Sequence, residues 1–327
     1  MNVLSAAYGG AARLRRAWYE RRPDARRRLE RPVVSVGNLV VGGSGKTPVV
    51  AALARLLLAA GERPAILSRG YARRQPADGV VVVSDGSRVL ESVERAGDEP
   101  LMLARALPGV PVLVAVERYL AGCVAIRQLQ ATVLLLDDGF QHLQLARDVD
   151  LLLVDEADVR DRVLPAGRLR EPLDAAHAAD AVLVPAGGDA DAVARALGVP
   201  RAFTVVREFE GLRGADGAAV PAGPGTRVLA VAGIARPARF FQALRALGVE
   251  VVREMTFADH HWYTPRDLAR LDAAARESGA GLIVTTEKDA VRVEARAAAG
   301  GVPWAALPLR AAIEPGGAFA AWLRSRW

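Results

Sequence analysis

The sequence contains little that would mark a secreted or membrane-spanning protein. Its 327 residues include one cysteine, Cys123, which excludes a framework of intramolecular disulfides and is typical of a reducing compartment. Arg55 interrupts the most apolar helical stretch, which is shorter than the roughly 20 residues that a membrane-spanning helix needs. The arginine-rich first 32 residues lack the apolar core of a cleavable signal peptide. We therefore expect a protein that is made and kept in the cytoplasm.

Lysine is almost absent as well. Of the 43 basic residues only Lys46 and Lys288 are lysines, and both lie in motif-like contexts, GSGKT and TTEKD. A lysine is a compact point charge, and a planar guanidinium does not replace it freely at a phosphate. The two lysines therefore support a functional interpretation of both segments.

The excess positive charge is confined to the N-terminus. Residues 1–32 hold nine arginines against three acidic residues, which gives +6, the same as the net charge of the whole chain. The remainder is neutral, whereas a general nucleic-acid binder more often spreads positive charge over a binding face. We therefore expect no nucleic-acid partner.

The first 22 residues have the pattern of an amphipathic helix. Arg13 and Arg16 lie away from its apolar side, Arg15 falls inside it, and Gly9 with Gly10 weakens the helix. Arginine flanks and aromatic side chains suit a helix that lies in an anionic membrane interface. The alternative is a solvated helix packed on its own domain. The apolar side consists of Val3, Leu4, Ala7, Tyr8, Ala11, Leu14 and Trp18.

A phosphate-binding loop is predicted at residues 42–47. The apolar, β-branched run 32–41 predicts a buried strand, and 46–61 has helical spacing that stops at Gly61. A glycine loop between strand and helix directs backbone N–H groups at an anion. Lys46 would reach the terminal phosphates and Thr47 would ligate Mg²⁺. The strict Walker pattern is not met, because Val40 stands where its first glycine would be.

The rest of the chain predicts an α/β fold, a P-loop NTPase-like and mostly parallel sheet covered by helices, with a second, smaller α/β domain. Continuous apolar runs alternate with helical segments, as in a sheet buried on both faces. We expect a basic helix within 1–31, a P-loop domain over 32–222 and the smaller domain over 223–327, with a last helix that can return to the first domain. Residues 214–226 suggest a linker or an exposed hairpin.

Three further segments carry candidate chemistry. Asp137 and Asp138 end an apolar strand, where a carboxylate would hold Mg²⁺; an Asp-Gly turn is the alternative. Asp98 lies at a predicted helix start, either as a helix cap or as a general base. His260 follows Asp259 within an aromatic cluster, which suits a proton acceptor better than a metal site. Arginine clusters at 69–74 and 168–170 could clamp phosphates or form surface salt bridges.

Taken together, the motifs resemble those of the tetraacyldisaccharide 4'-kinases of lipid A biosynthesis. The matching segments, in order across residues 36–292, are VGNLVVGGSGKTP, SRGY, GDEP, DDGFQH, LPAGRLREP, DHHWYT and TTEKDAVR. The resemblance implies ATP and Mg²⁺ as cosubstrates and transfer of the γ-phosphoryl group to the 4'-hydroxyl of a tetraacyldisaccharide 1-phosphate, giving lipid IVA. It also implies a peripheral protein on the cytoplasmic face of the inner membrane, held there by the basic N-terminal helix.

The same resemblance implies roles for individual residues. Asp98 with His260 would activate the acceptor hydroxyl, alongside Lys46 and Asp138 in catalysis. The implied metal ligands are Thr47, Asp137 and Asp138. The implied ATP-binding residues are Gly42, Gly43, Ser44, Gly45, Lys46 and Thr47. The implied substrate-binding residues are Asn38, Arg69, Tyr71, Gln141, His142, Arg170 and Glu171.

Two other classes of P-loop protein fit the sequence less well. Many switch or partitioning ATPases carry a lysine immediately before the paired glycines, and Val41 occupies that position here. A nucleic-acid-binding NTPase would have to rely on the arginine segment, which lacks a recognised recognition module. The motifs favour the lipid kinase.

Overall fold

The computed structural model describes residues 3–293 and 301–327 and confirms the predicted α/β class. Up to residue 209 the helices are α1 (Val3–Arg21), α2 (Lys46–Ala59), α3 (Val93–Ala96), α4 (Asp98–Ala106), α5 (Arg118–Arg127) and α6 (Ala190–Leu197). The strands of this part are β1 (Val33–Gly37), β2 (Pro64–Ser68), β3 (Val81–Ser84), β4 (Val112–Val114), β5 (Val133–Asp137), β6 (Val149–Leu153), β7 (Ala181–Pro185) and β8 (Ala202–Phe209).

The remaining elements follow an exposed turn in which Gly214 N donates to Ala218 O. Their strands are β9 (Arg227–Ala232), β10 (Glu250–Thr256), β11 (Leu282–Thr286), β12 (Trp304–Leu307) and β13 (Leu309–Glu314). Their helices are α7 (Pro237–Ala246), α8 (Pro265–Ser278), α9 (Glu287–Val293) and α10 (Gly316–Arg324).

The larger sheet has the strand order β13-β8-β7-β6-β1-β5-β2-β4-β3 among the described residues. The strands from β8 to β4 in this order run parallel, and β13 and β3 add antiparallel edges. The side chains of β1, β2 and β5 are buried on both faces, as their continuous apolar sequences require. Because β1 lies at the centre with β5 and β6 beside it, the loop after β1 opens at the middle of the sheet edge.

The smaller sheet has the order β10-β9-β11-β12, and its neighbouring strands are parallel. The chain then returns to the larger sheet, where β13 pairs antiparallel with β8. Helix α10 follows it, and the ring of its Phe319 lies 5.0 Å from that of Phe203 in β8. The last residues of the chain thus pack on the larger sheet although they follow the smaller one in sequence.

Helix α1 packs on the segment 163–174 with its polar side. Arg16 is buried there and its Nε donates to Glu171 Oε2 at 3.0 Å, while Arg13 pairs with Asp174. The sequence places Arg16 on the polar side of the helix, where exposure to water would be expected. In the structure Arg16 is buried, because Glu171 lies beneath its side chain. The apolar side is left outside: Val3, Leu4, Tyr8, Leu14 and Trp18 are all exposed.

Candidate active site

The predicted phosphate loop lies between β1 and α2. Gly45 precedes the first residue of α2 with a φ of +79°, a conformation that favours glycine. Lys46 Nζ donates to Asn38 Oδ1 at 3.0 Å and to Ser44 Oγ at 3.3 Å. The N–H groups of the first turn of α2 therefore point at a place where the lysine, still 14% exposed, can meet a phosphate.

Arg207 supports the loop from β8. Its Nη2 donates to Ser44 O at 2.7 Å, and a Cβ added to Gly45 would lie 2.9 Å from the guanidinium carbon. The loop is thus held by its glycine conformation and by an arginine from a strand that the sequence analysis had not singled out.

Asp137 ends β5 directly beside β1, where it is paired in register with Val36. Its side chain is buried, and within the described residues no donor reaches its Oδ1. Burial first, and then the charges of Glu99 and Asp138, raise the pKa of Asp137 to about 7. A buried carboxylate with a free oxygen and like charges nearby suits a site that receives a cation.

Asp138 is held by basic groups on both of its oxygens. It has a φ of 56°, unusual for a residue other than glycine, and this turns its carboxylate toward Arg170, which donates at 2.9 and 2.8 Å. Lys46 Nζ lies 3.4 Å from Oδ1. Although burial alone would raise it, the hydrogen bond from Arg170 and the charges of Lys46 and Arg170 hold the pKa of Asp138 well below its usual range.

Arg118 is a site residue that the sequence analysis missed. It begins α5, it is buried, and within the described residues its Nε has no acceptor. Burial lowers the pKa of Arg118 to about 10, although the negative charges of Asp138 and Asp137 act to raise it. Burial, together with the charges of Arg118 and other arginines, lowers the pKa of His142 to about 3, so His142 is neutral here. The only sequence signal for Arg118 was its place after an apolar strand.

Asp98 and His260 form a hydrogen-bonded pair, with 2.8 Å between Asp98 Oδ2 and His260 Nδ1. Asp98 begins α4, and His260 lies in the loop after β10 with a φ of 60°. Although burial alone would raise it, the hydrogen bond with His260 and the charges of Lys288 and Arg292 lower the pKa of Asp98. The aspartate is therefore ionised and can orient the imidazole.

The pair is connected to Asp137, at the end of β5. The ring of Tyr71, in the loop after β2, lies 5.3 Å from the ring of His260. Glu99 follows Asp98, and its charge reaches Asp137. Arg74, in the arginine cluster 69–74, lies over the ring of Trp262 at 4.5 Å. This cluster therefore packs on the loop that carries His260.

Apart from His142, the residues expected to bind substrate divide into three groups. Arg69 and Tyr71 are exposed at the open edge. Asn38 contacts both Gln141 and Arg170, since Gln141 Nε2 donates to Asn38 O at 3.0 Å and Arg170 Nη2 donates to the same oxygen at 3.4 Å. Glu171 faces away from Arg170, toward Arg16 of α1, beside a cavity of about 300 Å³.

A second cavity, of about 460 Å³, adjoins the phosphate loop at the carboxyl ends of β6 to β8. Its lining includes Asp155, Glu156, Gly187, Gly188, Arg207 and Arg239. Within residues 3–293 and 301–327, no group of three or more His, Cys, Asp or Glu side chains is arranged to hold a metal ion by itself. In the same ranges no helix has the length and apolar character to cross a membrane.

Comparison with known proteins identifies the family. The family model of LpxK, tetraacyldisaccharide-1-P 4'-kinase, matches residues 1–327. This chain belongs to the tetraacyldisaccharide 4'-kinase family. It is 44% identical over 317 residues to the tetraacyldisaccharide 4'-kinase of Geobacter metallireducens, covering 96% of this chain and 94% of that one. The corresponding protein of Geobacter sulfurreducens is 43% identical over 90% of this chain and 84% of its own length.

A solved structure is similar to this protein over nearly the whole chain. The LpxK of Aquifex aeolicus, described in complex with ATP, has a TM-score of 0.80 and 34% identity, and the match covers 99% of this chain and 97% of that one. The resemblance inferred from the seven motifs is thereby confirmed.

Proposed function

We infer that this protein is an ATP-dependent kinase that transfers the γ-phosphoryl group to the 4'-hydroxyl of a tetraacyldisaccharide 1-phosphate, a lipid A precursor. One observation supports the inference beyond family membership: Glu99, beside Asp98 of the Asp98–His260 pair, acts on the pKa of Asp137, and Asp137 lies next to the strand that leads into the phosphate loop. Phosphoryl transfer needs charge neutralisation and alignment more than covalent chemistry by the protein, and this site supplies both.

ATP would bind with its phosphates on residues 42–47 and its nucleoside in the 460 Å³ cavity. The loop N–H groups, Lys46 and Thr47 would receive the phosphates. Asp155 and Glu156 offer acceptors in the cavity for amino and hydroxyl groups. Arg207, which joins the loop to the cavity, would tie phosphate and nucleoside binding together.

The site also fits Mg²⁺. Thr47, Asp137 and Asp138 supply the hard oxygen donors that this ion prefers, and it commonly takes only one or two carboxylates together with phosphate oxygens and water. Asp137 is the stronger candidate ligand, because its Oδ1 has no donor within the described residues while both oxygens of Asp138 accept from Arg170. When bound, the ion would neutralise charge that develops on the transferred phosphoryl group.

The acceptor hydroxyl would be activated by His260. Asp98 accepts from Nδ1, which leaves the lone pair on Nε2 to take the hydroxyl proton as the oxygen bonds to the γ-phosphorus. The bond to the bridging oxygen then breaks and ADP leaves. Lys46, Arg170 and Arg118 lie at Asp138, where their positive charge would offset the negative charge of the transferred phosphoryl group.

Helix α1 would hold the enzyme on the cytoplasmic face of the inner membrane. Its apolar side faces outward, and arginines flank it, which suits insertion among anionic headgroups. Its inner side rests on Glu171, next to Arg170 of the site. A lipid substrate could therefore pass from the membrane to the site along the same face.

The function is tested by phosphoryl transfer from γ-labelled ATP to purified tetraacyldisaccharide 1-phosphate in detergent with Mg²⁺. Wild-type protein should label the lipid, and Lys46→Ala should not. ATP hydrolysis without labelled lipid would instead favour a switch ATPase.

A further inference from the structure

The second lysine of the chain lies at the Asp98–His260 pair. Lys288 Nζ is 3.1 Å from His260 Nε2, 3.0 Å from Asp259 Oδ1 and 3.3 Å from Glu99 Oε1. Nothing in the hydroxyl-activation step above uses this ammonium. Its side chain is 16% exposed, so the contacts are largely shielded from water.

The contact fixes the protonation pattern of His260. An ammonium group has donors and no acceptor, so Nε2 accepts and must carry its lone pair. The proton of the neutral ring then lies on Nδ1, where it is donated to Asp98. Although burial alone would lower it, the charges of Glu99, Asp98 and Asp259 raise the pKa of Lys288, which keeps the lysine a donor.

Arg292 restrains the other partner from the same helix. It lies four residues after Lys288 in α9, so both side chains share one face. Arg292 Nη2 is 2.7 Å from Asp98 Oδ2 and its Nη1 donates to His261 O at 2.8 Å. One cation of α9 therefore faces the aspartate and the other faces the imidazole.

We propose that Lys288 is a positioning residue that keeps His260 in the tautomer with a free Nε2 lone pair and aims that lone pair at the acceptor hydroxyl. The proposal deepens the proposed function and rests on it. As the hydroxyl arrives it takes over Nε2, and Lys288 keeps its bonds to Asp259 and Glu99. After transfer, the ammonium repels the protonated imidazole and speeds loss of its proton.

A lysine suits this place better than an arginine. Three donors on one nitrogen reach three acceptors at 3.0–3.3 Å, and a planar guanidinium spreads its donors over a wider fork. This accounts for one of only two lysines in a chain whose other basic residues are all arginine.

The kinetic test compares wild type with Lys288→Met, Lys288→Arg and the double variant Lys288→Met/His260→Ala. We expect Lys288→Met to lower kcat at neutral pH about 10- to 100-fold, with the KM for ATP unchanged. Lys288→Arg should recover only part of the rate. In the His260→Ala background, loss of the lysine should cost no further rate. An equal loss in both backgrounds would overturn the proposal.

The pH profile separates positioning from simple structural support. The charged groups around His260 are Asp98 from α4, Asp259 from its own loop and Lys288 from α9, with Arg292 acting on Asp98. Removing the ammonium takes a positive charge away from beside the reacting nitrogen, so the acid limb of the kcat/KM profile should move to higher pH. Arg270→Met, which removes an exposed arginine from α8, should leave the profile unchanged; an unmoved profile in Lys288→Met would contradict the proposal.

The tautomer can be read without any activity. In ¹⁵N-histidine NMR spectra, assigned by comparison with His260→Ala, the proton should lie on Nδ1 in the wild type and be redistributed in Lys288→Met. A proton on Nε2 in the wild type would refute the proposal. If the wild type shows the expected tautomer but does not label the lipid, the assigned reaction fails while the role of Lys288 in setting the ring stands.

Discussion

Asp98 and His260 meet with 2.8 Å between Oδ2 and Nδ1 although 162 positions separate them in the sequence. The aspartate begins a helix on the larger sheet, and the histidine comes from a loop of the smaller one. The geometry of this pair therefore depends on how the two sheets are held together, and α4 contacts α9 at that junction.

Removing either partner should abolish most of the rate. Asp98→Ala and His260→Ala should each lower kcat by about 10² to 10⁴, because each removes the same oriented proton acceptor. The double variant should lose little more than either single variant, since residues that act as a unit are not additive. Single-turnover rates with the lipid substrate measure this, and additive losses would show that the two residues act separately.

Asp137 should make the stability of the protein depend on pH. Its pKa is raised from 3.8 to about 7, so the fold favours the protonated carboxyl, and that contribution is lost as pH rises from 3.8 to about 7. Asp137→Asn should therefore raise Tm by about 3 °C at alkaline pH, and by less below pH 7. Thermal unfolding of both proteins across pH measures the difference.

The same carboxyl should govern the response to magnesium. The ion needs the ionised form, so stabilisation of the wild type by MgCl₂ should grow as pH rises to about 7 and be weak in Asp137→Asn. Stabilisation of equal size in both proteins would place the ion elsewhere.

The outer side of α1 should determine membrane binding. Leu14→Glu or Trp18→Glu should weaken binding to vesicles that contain anionic lipid about tenfold, because each removes an exposed apolar anchor and adds negative charge. Leu90→Glu alters an exposed leucine away from α1, as accessible as Trp18, and serves as the matched control. Vesicle sedimentation measures the affinity, and activity in detergent should be unchanged in all three variants.

The inner side of α1 should be sensitive to loss of one charge. Arg16→Met leaves Glu171 buried without its ion-pair partner, which should cost about 3 kcal/mol of stability. Arg16→Met/Glu171→Leu should recover much of that loss, because no charge is then left buried. Chemical denaturation measures the free energy of unfolding of the wild type and both variants. A double variant no more stable than Arg16→Met would contradict the prediction.

Local patterns in the sequence predicted the phosphate loop well. A β-branched run, a glycine loop and a helical run with its stop at Gly61 are short-range signals, and β1 and α2 follow them closely. Asp137 was also predictable, because it ends an apolar strand. Strands β8 and β13 were not predicted, since their side chains are only partly buried and their apolar pattern is weak.

Long-range contacts could not be predicted from residue patterns. The pairing of Asp98 with His260 came from the family resemblance, and nothing local marks Arg118 as buried beside the aspartates. Arg16 illustrates the reason. A helical wheel assigns this arginine to the polar side of α1, but its burial depends on Glu171, which lies far along the chain.

The return of β13 and α10 to the larger sheet makes the smaller sheet an insertion rather than a tail. Both of its connections leave from one edge of the larger sheet, one after β8 and one before β13, so the inserted module is tied at two neighbouring points. Such a double tether permits rocking and opposes free rotation. It also means that cutting the chain at residue 222 would strip β13 and α10 from the first domain and uncover Phe203. A separable first domain would instead need residues 210 and 309 rejoined.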